Sequence, residues 1–141
     1  MEKFNNNNSM VGFIGDYSSP EEVIAQDTKE LNEIGGSFEA IADRIKEILN
    51  YTERKDMGGN LNIKMDDKVE INLYLSTKGF QDCPYGCDRP YWSRVIKIRN
   101  PKTDRKLTIN RGIEHLVRKH HLLEKGNEYG ISAKEFYEHF M

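Results

Sequence analysis

The chain has 141 residues, of which 37% are apolar and 31% charged, with two cysteines and a formal net charge of −2. That length suits one domain with a core that needs no disulfide or metal, and no apolar run approaches the roughly 20 residues of a membrane-spanning helix. Collagen-like, membrane and disulfide-scaffold classes are excluded, so the expectation is a soluble, cytoplasmic α+β protein with no secretory leader.

Residues 1–18 open on the polar tract Asn5–Asn8 and are expected to form a flexible tail, with Met10–Tyr17 the part apolar enough to dock. A single domain is expected over residues 19–141. Ser19-Pro20-Glu21-Glu22 reads as a helix start, with Ser19 as cap, Pro20 at the first helical position and Glu22 completing a capping box. Val23, Ile24, Leu31 and Ile34 give this helix an incomplete apolar stripe, which Gly35-Gly36 ends. Ser37 caps a second helix in which Phe38, Ile41, Ala42, Ile45, Ile48 and Leu49 recur at helical spacing, broken by Met57-Gly58-Gly59-Asn60.

The period then changes to two. Leu61, Ile63 and Met65 alternate with polar residues, Asp66-Asp67-Lys68 turns, and Val69, Ile71, Leu73 and Leu75 alternate again, a β-hairpin with one apolar face. After a long loop, Trp92, Arg94, Ile96 and Ile98 share one strand face. Asn100-Pro101-Lys102-Thr103-Asp104 supplies a turn, and Leu107 and Ile109 continue a second hairpin.

Asn110 caps a third helix whose stripe is Ile113, Leu116, Val117, His120 and Leu123, closed by Lys125-Gly126-Asn127. Ser132 and Glu135 form a capping box for a short last helix carrying Ala133, Phe136, Tyr137 and Phe140. The order α-α-β-β-β-β-α-α predicts a four-stranded antiparallel sheet of two consecutive hairpins, with the helices mainly on one face.

One stretch carries metal-ligand chemistry. Cys83 and Cys87 flank a Pro and a Gly that bend the chain, and His115, His120 and His121 follow on the third helix. Cys83, Cys87, His115 and His120 offer the two thiolates and two imidazoles that suit tetrahedral zinc, the candidate cofactor. Against this, residues five apart on an ideal helix point about 140° apart, so His115 and His120 converge only if the helix loosens near its end. The interval from Cys87 to His115 exceeds that of a zinc finger, and His120 on an apolar stripe also reads as a core histidine. Without metal the cysteines are a reduced structural pair, the disulfide being disfavoured in a reducing compartment. A Cys–His nucleophile pair requires only proximity in space.

Charge is divided along the chain. Residues 1–79 hold 9 Lys and Arg against 15 Asp and Glu, whereas residues 80–126 hold 11 against 5. Acidic helices that neutralise a basic sheet would produce this division, and so would a surface for nucleic acid or an acidic protein. The candidate binding surface is Trp92, Arg94, Arg99, Arg105 and Arg111, in a stretch where Phe80, Tyr85 and Tyr91 interleave with arginines. The phosphate-binding loop, dinucleotide fingerprint, HExxH and nucleophile-elbow motifs are all absent from the sequence. The reading is therefore a non-enzymatic binding module using the 80–111 surface, with zinc fixing the cysteine loop. The alternatives are an acidic adaptor or inhibitor that meets a basic partner through the N-terminal helices, and an enzyme using Cys83 or Cys87 with His115 or His120.

Overall fold

Eight elements follow one another in the predicted order: α1 (Pro20–Ile34), α2 (Phe38–Arg54), β1 (Gly59–Lys64), β2 (Glu70–Gln81), β3 (Tyr91–Arg99), β4 (Lys106–Ile109), α3 (Arg111–His120) and α4 (Ala133–Phe140). They come from a computed structural model that describes residues 20–54, 59–81, 85, 87, 91–123 and 131–141; at 20, 54, 59–61, 75–81 and 91–94 the description is of the backbone. The expected tail over 1–18, the Ser19 cap, Met57-Gly58 and Lys125-Gly126-Asn127 lie outside the described residues.

The four strands form one antiparallel sheet in the order β1-β2-β3-β4, with two helices before it and two after, an α+β fold. One continuous core joins the layers. Ile41, Ala42, Ile45, Ile48 and Leu49 of α2 are buried with Ile96, Ile98 and Ile109 of the sheet, Leu116 and Val117 of α3, and Phe136 and Phe140 of α4. The caps read from the sequence are made: Ala40 N–H donates to Ser37 Oγ, Ile113 N–H to Asn110 Oδ1, and Ser132 with Glu135 forms a reciprocal capping box.

Three expectations are corrected. First, the apolar face of the first hairpin does not run unbroken through Leu73. Ile71 opposes Ile98, but Leu73 opposes Lys97 and Tyr74 opposes Ile96. Two steps on β2 thus span one on β3, a bulge at Asn72 that hands the core-facing role from Leu73 to Tyr74. Second, Ile34 is 42% exposed, whereas Asp27, aligned between Val23 and Leu31, is fully buried and accepts the Ala133 N–H at the start of α4. A carboxylate at a helix N-terminus meets the positive end of the helix dipole, which favours its place on an otherwise apolar stripe.

Third, α3 does not run on to Lys125. It stops at His120, and His121 adopts the left-handed conformation with φ 58°. His121 N–H bonds to Val117 O and Leu122 N–H reaches back six residues to Leu116 O, so the last turn is wider than an α-turn. The His121 ring stacks on Phe38 with centroids 4.8 Å apart, and Leu122 and Leu123 are buried beyond the helix end. This ending shapes the site described next.

Candidate metal centre and basic sheet face

The widened end of α3 resolves the angular objection to pairing its histidines. His115 and His120, which an ideal helix would splay apart, lie edge to face with ring centroids 5.2 Å apart. Cys87 reaches them from the β2–β3 connection, its Sγ 3.3 Å from His120 Nε2. One donor atom from each of Cys87, His115 and His120 lies within 4.8 Å of the others, and all three residues are half-buried. Tyr85 stacks on the His120 ring, centroids 4.2 Å apart and planes 17° off parallel. Tyr85 also packs against Val23 and Leu122, so the connection is docked on the ends of α1 and α3.

The donor set suits a tetrahedral ion. Bonds of about 2.0–2.3 Å place two ligands of one zinc about 3.3–3.8 Å apart, the range into which the Cys87–His120 contact falls. The remaining separations need a contraction of about 1 Å at most on that geometry. One thiolate and two imidazoles are a soft set that discriminates against magnesium and calcium. His121, the third histidine considered in the sequence, is directed to Phe38 instead. Cys83 lies outside the described residues. Tyr85, which the sequence marked only as one of several loop aromatics, is the residue that braces His120; its position two before Cys87 was the available signal.

The arginines of the basic stretch are engaged within the molecule. Arg99 donates from Nε and Nη2 to Glu70 Oε1 at 3.2 and 3.0 Å, and from Nη1 to Asp104 at 3.1 Å. Arg105 pairs with Glu135 of α4 at 3.6 Å, Arg111 with Glu53 of α2 at 2.8 Å, and Arg118 with Asp43 of α2 at 2.9 Å. Glu114 lies between Arg111 and Arg118, 3.2 and 3.4 Å from them. The hydrogen bonds with Glu70 and then Asp104 raise Arg99 above its already high ordinary pKa; those from Asn72 and then Arg99 hold the Glu70 carboxyl below the usual carboxylate range. The backbones of Trp92 and Arg94 lie in β3 opposite Phe80 and Ser76, while their side chains lie outside the described residues.

Comparison with protein-family models, characterised proteins and solved structures found no match to the chain. Among the described residues, no helix is long and apolar enough to cross a membrane.

Proposed function

We propose that the protein is a non-enzymatic binding module in which zinc, held by Cys87, His115 and His120 with Cys83 as the fourth ligand, pins the β2–β3 connection to the end of α3. The convergence of three soft donors from two distant parts of the sequence carries this reading. A closed Cys2His2 set is the kind that contributes folding energy rather than catalysis, and a reducing, cytoplasmic setting keeps such thiolates available. The pinned segment leads directly into β3 and so fixes the approach to the 80–111 surface. Its partner is an acidic segment of another protein. Nucleic acid fits less well, because Arg99, Arg105 and Arg111, which would otherwise grip phosphates, already hold carboxylates.

Binding to polyglutamate and to a single-stranded oligonucleotide, titrated across salt concentration, tests the partner. Polyglutamate binding that weakens with salt and is lost with a Cys87→Ser variant is expected. Tighter oligonucleotide binding with a steep salt slope would reassign the partner to nucleic acid; binding to neither would overturn the module reading.

The 3.3 Å contact between Cys87 Sγ and His120 Nε2 favours a second reading, a thiol nucleophile with its base. A Cys87 thiol that alkylates much faster than free cysteine near neutral pH, in protein shown to be metal-free, would support it.

A further inference from the structure

The sheet face turned away from the helices holds a concavity of about 550 Å³, lined among others by Glu70, Lys97, Arg99, Asp104, Lys106 and Thr108. The register places these side chains. Lys97 lies directly opposite Thr108, and Arg99 directly opposite Lys106, so three cations crowd one patch of the outer face. Like charges facing across a strand pair repel, a cost that an anion seated between them removes. Glu70 and Asp104 both spend their carboxylates on Arg99, leaving its fork unavailable for bidentate capture of a further carboxylate. Thr108 supplies an independent observation. It is 8% exposed, and its Oγ1 is withdrawn from solvent with no hydrogen-bond partner among the described residues. A buried hydroxyl left unmatched is costly in a native fold and calls for an explanation.

We propose that this concavity binds the phosphoryl group of a small phosphate ester. The phosphate oxygens sit between the Lys97 and Lys106 ammonium groups and accept a hydrogen bond from Thr108 Oγ1, which a lysine rotamer change uncovers. Two point-charge ammonium groups and a hydroxyl donor match a multi-oxygen anion, whereas a planar carboxylate is better matched by a free guanidinium fork. The volume falls within the roughly 300–1,000 Å³ of small-ligand sites and exceeds what a bare phosphate fills. Glu70, Asp104 and Asn72 offer the rest of the ester polar groups for its hydroxyls. This site stands on the far face of the sheet from the histidines and does not depend on metal.

Calorimetric titration of the full chain with glycerol 3-phosphate and with inorganic phosphate, at ionic strength matched with sodium chloride, tests the proposal. Binding of the ester at least about tenfold tighter than inorganic phosphate is expected, with Lys106→Met and Thr108→Val each weakening it about tenfold. Thr108→Val preserves shape and removes an unmatched hydroxyl, so its melting temperature should equal or exceed that of the wild type, which separates lost binding from lost folding. Equal affinity for ester and inorganic phosphate, no binding beyond the chloride control, or wild-type affinity in both variants would each overturn the proposal. Repeating the titration after chelation keeps its outcome separate from that of the zinc reading.

Discussion

Asn100 is 1% exposed and organises the β3–β4 turn from within: its Oδ1 accepts the Lys102 and Thr103 N–H groups, and its Nδ2 donates to the His139 carbonyl of α4. Asn100→Ala leaves those buried partners unmatched, so a loss of about 1–3 kcal/mol is expected in denaturant unfolding; a change within error would contradict this role. Asp66 plays the equivalent part in the β1–β2 turn. Its Oδ1 accepts the Lys68 and Val69 N–H groups at 2.9 Å, and its Oδ2 takes Arg44 at 2.7 Å, while Arg44 Nε donates to Phe140 O. Burial pushes the Asp66 carboxyl up, but the Arg44 hydrogen bond, the Lys68 N–H, the Arg44 charge and the Val69 N–H outweigh it and hold the carboxyl below its ordinary value. A depressed carboxylate contributes stability that is fully present above its unfolded value of about 3.9 and is lost as pH falls through the lower folded value. Stability measured from pH 6 downward should therefore fall below about pH 4, and Asp66→Asn should flatten that fall. An unchanged slope in the variant would assign the acid sensitivity elsewhere.

Between elements, close approach decides the packing. The α1–α2 turn carries Gly35 at φ +70°, and a Cβ on Gly36 would stand 2.7 Å from the Tyr137 ring of α4. The Tyr137 hydroxyl in turn accepts the Ser37 N–H at 2.8 Å, locking this corner to the last helix. Gly36→Ala should destabilise by about 1–3 kcal/mol through overpacking, read as a lower urea midpoint at constant slope; an unaltered midpoint would mean the corner yields freely. The element order was legible because Phe38, Ile41, Ile45 and Ile48 keep helical spacing, while Val69 and Ile71 keep strand spacing. The bulge was not, since Leu73 and Tyr74 are both strand-forming and only pairing with β3 shows which faces inward. The end of α3 was hidden for a related reason. A left-handed histidine costs roughly 1–2 kcal/mol that glycine avoids, and only the stacking on Phe38 and the burial of Leu122, both tertiary, offset it at His121. The same ending brings His115 to His120, so the metal centre was legible as a set of donors but not as a geometry.

Across the whole molecule, the division of charge seen in the sequence becomes internal pairing. Carboxylates of α2 and α4 reach Arg111, Arg118 and Arg105, residues 31 to 75 positions away along the chain. Each such half-exposed pair is worth only about 0–1 kcal/mol, so their main consequence is to reduce the charge the basic stretch shows to a partner. The centre formed by Cys87, His115 and His120 joins that stretch to the core, and zinc there would tie the β2–β3 connection to the helical layer. The most direct test is the metal content of protein purified without a metal-affinity tag under reducing conditions. About one zinc per chain, lost in Cys87→Ser and in His120→Ala, is the expected result for a single tetrahedral site. Metal-free wild-type protein that folds normally and takes up no added zinc would contradict the account.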